Sequence, residues 1–155
     1  RSHAYRGSAS TINRSYQYAV SATDAYGNAS PAVLGPKLTP VLYQQTSGVT
    51  YTGTWKSSTS GWYLGSVKYS TSKGATATFR TSGRSFGFVT TKTPSRGKVK
   101  VYVDGKLKTT LDLRSAVSKF ANLAYVVTFG SSATHTIKLV VVSGRIDIDA
   151  FMVLK

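Results

Sequence analysis

The chain has 155 residues, of which 20 are Lys or Arg and only five are acidic, all Asp, for a formal net charge of +15. It has no Cys and just two His. It therefore lacks most of the side chains from which disulfides, thiolate metal sites and acid–base or nucleophilic active sites are built, so composition points to a binding or structural module rather than an enzyme. Hydrophobic residues make up 41% and charged residues 16%, which predicts a folded core rather than a disordered polycation.

In chain order, Arg1-Ser2-His3-Ala4-Tyr5 is no signal peptide, so an exported product would have shed its leader. Tyr5, Tyr16, Tyr18, Val20 and Tyr26 make the first 34 residues too apolar for a free tail. They are expected to dock on the rest of the chain or to complete a sheet in another molecule. Asp24 is placed to cap a turn. Pro36 and Pro40 bracket a short polar link, which predicts a boundary: residues 1–35, a linker at 36–40, and a main domain at 41–155.

Within the main domain two-residue alternation dominates. Ala75, Ala77 and Phe79 are expected inside, with Thr76, Thr78 and Arg80 outside; Val99, Val101 and Val103 likewise oppose Lys98, Lys100 and Tyr102. Asp104-Gly105 predicts a tight hairpin into residues 106–113. A helical turn is the reading for part of residues 114–123. Residues 134–142 end in a continuous apolar run, which predicts a central strand, and Ile146, Ile148, Ala150 and Met152 form a last inward face. Many short strands at regular spacing predict an all-β sandwich. No apolar run approaches the roughly 20 residues that span a bilayer, so no membrane insertion is expected.

Two resemblances refine this. Tyr16-Gln17-Tyr18-Ala19-Val20-Ser21-Ala22, followed by Asp24, Gly27, Asn28 and Ser30, resembles the closing strand pair of a fibronectin type III domain. Tyr51-Thr52-Gly53-Thr54-Trp55, Gly74 through Phe79, Arg96-Gly97-Lys98-Val99-Lys100-Val101-Tyr102-Val103-Asp104-Gly105, Leu111-Asp112-Leu113, His135-Thr136-Ile137-Lys138-Leu139 and Ile146-Asp147-Ile148-Asp149-Ala150-Phe151-Met152-Val153 carry the other. They are similar to a module at the C-terminal ends of large secreted bacterial proteins. That resemblance implies a galactose-binding-like jelly-roll β-sandwich, the architecture of many carbohydrate-binding modules, and an extracellular bacterial setting. Arg114 departs from the pattern, where Tyr commonly follows Asp-Leu.

The candidate ligand residues are Trp62 and Tyr63, after the loop-like Ser57-Ser58-Thr59-Ser60-Gly61, and the cations Lys92, Arg96, Lys98 and Lys100. An exposed aromatic face suits the C–H side of a pyranose, and Lys106 and Lys108 would extend the cations into a strip if all four lysines share one face. Trp55 reads as core. Asp147 and Asp149 read as ion-pair partners and His135 as a hydrogen-bonded structural residue; no catalytic, metal or cofactor site is assigned. The function expected is non-catalytic recognition of a glycan or anionic surface polymer. The alternative is a subunit of a self-assembling extracellular filament or surface layer that donates the strands of residues 1–34. Nucleic acid would be attracted only nonspecifically.

Overall fold

The computed structural model describes residues 12–59 and 65–155. Regular structure among them is all strand, and the strands pair antiparallel. β1 (Ala19–Val20) and β2 (Val33–Leu34) form a two-stranded ribbon, extended by a bridge from Tyr16 to Leu38. The main body contains β3 (Pro40–Gln44), β4 (Val49–Thr52), β5 (Lys56–Ser58), β6 (Val67–Ser70), β7 (Thr76–Lys92), β8 (Lys98–Val103), β9 (Lys106–Asp112), β10 (Lys119–Ser143), β11 (Ile146–Ile148) and β12 (Ala150–Leu154).

β7 and β10 are long because each serves two layers. The first half of β7 lies between β4 and the second half of β10, which continues to β8 and β9. The second half of β7 lies between the first half of β10 and β12, which continues to β3. A register shift between Thr128 and Ala133 of β10, opposite Ser85 to Gly83 of β7, marks the bend. Gly83 is required there, since a Cβ would come within 2.5 Å of Val153 Cγ1 and 2.8 Å of the Leu154 carbonyl. β11, β6 and β5 form a further three-stranded sheet.

The alternation of Ala75, Ala77 and Phe79 and of the three β8 valines places all six in the core, together with Ile137, Leu139 and Val141 from the central half of β10. Phe79 stacks on Phe151, centroids 4.8 Å apart and planes 14° from parallel, so one layer's aromatic meets the other's. Asp104 and Gly105 both take positive φ, 50° and 77°, as a two-residue primed turn requires.

Two expectations are corrected. Residues 114–123 hold no helical turn: a bend at Ala116 and Val117 leads into β10, and Val117 and Phe120 are exposed, so no apolar helical face exists to bury. The last inward face does not run on to Met152. The strand breaks at Asp149, the alternation changes phase, and Phe151 and Val153 enter the core while Met152 is half-buried.

The ribbon does not lie back on the sandwich. Tyr18, Val20, Tyr26, Val33 and Leu34 are all exposed, Tyr26 by 92%, so residues 18–34 show none of the expected docking within the chain, whereas Asn13 N donates to Pro40 O at 2.7 Å where β3 begins. Asp24 does cap its turn, its Oδ1 accepting from Tyr26 N and Asn28 N at 2.9 Å each. Leu38 pairs with Tyr16, Thr39 exchanges backbone hydrogen bonds with Lys155, and Pro40 opens β3.

Candidate functional site

Where β7 bends between layers the sandwich opens into a depression of about 430 Å³. Tyr43 of β3 forms one wall, its ring 5.3 Å from that of Phe79. Ser47 and Gly48, in the turn from β3 to β4, form another; Ser47 N donates to Gln44 O at 2.8 Å and Gly48 takes φ 69° to close the turn. Arg80, Thr81 and Ser82 line the bend itself, and Thr134 faces Ser82 across the β7–β10 ladder, the two hydroxyls 2.6 Å apart. Lys155 completes the rim. Its backbone is tied to Thr39 by bonds of 2.7 and 3.0 Å, and its Nζ stands 5.4 Å from the centre of the Tyr43 ring.

The result is an aromatic wall, hydroxyls that both donate and accept, and two cations. No acidic side chain lines it. The ion pairs among the described residues join Arg96 and Arg145 to Asp147, Lys98 and Arg114 to Asp112, and His135 to Asp104, so neither Arg80 nor Lys155 takes part in one. A second hollow of about 240 Å³, lined by Pro40, Ser85, Gly87, Val126, Met152 and Leu154, is almost wholly apolar and offers a single hydroxyl.

The cations singled out from the sequence fall elsewhere. Trp62 and Tyr63 lie outside the described residues. Lys92 ends β7, half-buried. Arg96 points inward, its Nε donating to Asp147 Oδ2. Lys98 is exposed and 3.9 Å from Asp112, and Lys100 is half-buried on the same outer face of β8. The four-lysine strip does not form: a bulge between Val101 and Tyr102 puts Lys106 opposite Val103, on the core-facing side, and leaves Lys108 without a cross-strand partner. Trp55 packs against the core with Nε1 donating to Thr52 O at 3.1 Å, in keeping with its structural reading. His135 Nδ1 lies 2.7 Å from Asp104 Oδ2 while its ring stacks on Phe129, 3.5 Å between centroids.

The electrostatics of the acidic residues are structural. Asp104 is held below the usual aspartate range by its hydrogen bond with His135, then by Thr136 N–H. The Arg114 guanidinium lowers Asp112 to about 2. Burial pushes the Tyr51 hydroxyl well up, and its proton is donated to Gln45 O at 2.7 Å. Among the described residues no three His, Asp or other metal-binding side chains come together.

Sequence reasoning missed Tyr43, Arg80 and Lys155 as a group. Arg80 was legible only as an outward-facing strand residue, and nothing in the spacing of the other two signals convergence.

This geometry defines the class as an antiparallel β-sandwich with a shallow cleft of mixed polar and apolar lining at the junction of its layers. No protein-family model matches the chain. It is 35% identical over 102 residues, 65% of its length, to an A type blood alpha-D-galactosamine galactosaminidase of Flavonifractor plautii. The chain spans 9% of that enzyme's length. In fold it is similar to a family 35 carbohydrate binding module from Clostridium thermocellum, with TM-score 0.55 and 11% identity over 75% of this chain and 97% of the module. It is also similar to a two-domain esterase active on acetylated mannans, with TM-score 0.59 and 14% identity over 76% of this chain and 37% of the esterase.

Proposed function

We propose that this chain is a non-catalytic glycan-binding module of a larger secreted bacterial polypeptide. In this reading residues 41–155 form the binding domain and residues 1–35 end a preceding fibronectin type III-like domain. Its support is the fold held in common with a family 35 carbohydrate binding module and the 35% identity with part of a galactosaminidase. The observation that carries it is the cleft, which Tyr43 lines together with the hydroxyl-bearing residues Ser47, Thr81, Ser82 and Thr134. Such a wall takes the C–H face of a sugar, and the hydroxyls take its polar edge. Trp62, Tyr63, Lys92, Lys98 and Lys100 belong to the same proposal as a second contact surface, and Arg96, bonded to Asp147, positions the loop that leads to Lys98.

A glycan array with the purified protein tests this. Retention of at least one glycan set is expected, and Tyr43→Ala should weaken it about tenfold, the loss of one well-packed aromatic anchor. A wild-type protein that retains no glycan overturns the reading.

The exposure of Tyr18, Val20, Val33 and Leu34 favours a second reading, assembly between copies through the ribbon. Light scattering over a hundredfold concentration range decides it: association that survives high salt supports it, and a strict monomer removes it.

A further inference from the structure

Two cationic residues, Arg80 and Lys155, line one small cleft that has no acidic side chain among its lining residues. The described acids are committed elsewhere: Asp24 to its own turn, Asp104 to His135, Asp112 to Lys98 and Arg114, and Asp147 to Arg96 and Arg145, while Asp149 is buried away from the cleft. In a chain of net charge +15, Lys155 Nζ stands over the Tyr43 ring, and Arg80 has no acidic partner among the described residues.

Resting on the glycan reading above, we propose that this cleft selects an anionic sugar, one carrying a carboxylate or a sulfate. Arg80 and Lys155 take the charged group, Tyr43 walls the ring, and Ser82 and Thr134 meet its hydroxyls. Arg80 supplies a planar fork that matches two anionic oxygens, and Lys155 a point charge on a flexible stem. Both cations are exposed; the backbone of Lys155 is fixed by Thr39 and that of Arg80 by strand pairing to Thr136, so binding has to order their side chains but not their main chain. A volume of about 430 Å³ is within the roughly 300–1,000 Å³ of small-ligand sites.

Calorimetry at about 0.15 M salt with trigalacturonate, a sulfated galactose trisaccharide and neutral galactotriose tests the proposal. One or both acidic sugars should bind well above the neutral one, and which of them binds identifies the anionic group. Arg80→Gln/Lys155→Gln should weaken the acidic ligand about tenfold or more, whereas Lys106→Gln/Lys108→Gln, which removes the same charge from exposed positions on β9, should cost under about twofold. Equal losses from the two double variants would mean diffuse attraction, and neutral binding as tight as acidic would mean no charge selection. Either overturns this inference and leaves the glycan reading standing. Binding to none of the three sugars, with no hit on the array, brings down both.

Discussion

Arg96 and Asp147 meet in the interior, the guanidinium Nε donating to the carboxylate Oδ2, with the Arg side chain 9% exposed and the Asp not at all. Arg145 Nε bonds the other oxygen at 2.7 Å and lays its guanidinium 3.8 Å from the centre of the Tyr69 ring. Asp147 is thus the counter-charge for two arginines and joins the loop before β8 to β11.

Removing that counter-charge is costly because Arg96 stays buried. Asp147→Ala should lose about 3–5 kcal/mol, and a paired Arg96→Met/Asp147→Leu replacement should recover most of it, since well-packed apolar groups match buried ion pairs. Arg145, partly exposed, can swing to solvent. Denaturant titration of the three proteins checks this; a double variant no better than Asp147→Ala contradicts it.

The same loop depends on a close backbone approach. A Cβ on Gly97 would lie 1.6 Å from the Ser143 carbonyl oxygen, and the neighbouring atoms are all backbone. Gly97→Ala should therefore abolish cooperative folding. Gly105→Ala is the contrast: φ is 77° but nothing lies within 4 Å of the added carbon, so only the strain of a left-handed turn applies, about 1 kcal/mol. Thermal melts of both variants separate steric exclusion from conformational cost.

These contacts show what was legible and what was not. Val99, Val101 and Val103 were readable as core because a half-buried strand alternates with period two, and Asp104-Gly105 because few pairs tolerate two positive φ values. The bend of β7 was not readable, because what demands Gly83 is Val153 and Leu154, which are distant in sequence. The phase change at Asp149 was hidden for a related reason: Ile146 to Met152 alternates well as one strand, and only pairing of β11 with β6 and β12 with β7 shows two. Arg96 looked like a surface cation because charge count cannot reveal a buried partner 51 residues away. The cleft was least legible of all, since Tyr43, Arg80 and Lys155 converge only through the two-layer topology.

Acid should loosen the hairpin end of the sandwich. Asp104 and Asp112 both have folded-state values below the 3.8 of a free aspartate, Asp112 reaching about 2. Their stabilisation is complete above that free value and is lost as pH falls through the folded one. The melting temperature should hold from pH 7 to about 5 and drop between pH 4 and 2. Asp104→Asn keeps an acceptor for Thr136 N and tolerates the positive φ, but it removes the charge and turns the edge that faces His135 Nδ1 into a donor. It should cost about 0.5 kcal/mol at neutral pH, as exposed pairs do, and the difference from wild type should shrink as pH falls below 3.8. A constant difference across the range would rule out charge as the cause.

The ribbon provides the last test, because its removal asks whether the sandwich is a self-sufficient body. Residues 12–34 contribute no side chain to the core, and the attachment that matters for β3, the exchange of backbone bonds between Thr39 and Lys155, survives truncation after Gly35. The half-buried Tyr16 and Leu38 lose their bridge and Pro40 O loses the bond from Asn13 N, both local costs. Deleting residues 1–35 should therefore change stability by under about 1 kcal/mol, a shift of roughly 4 °C or less for a domain of this size. Binding at the cleft should be unchanged, since among the described residues no lining residue precedes Tyr43. If the truncated protein melts far lower, the ribbon is integral to the sandwich and the division at residue 35 is misplaced. If it melts alike but no longer associates, the exposed Tyr18, Val20, Val33 and Leu34 are the contact between copies.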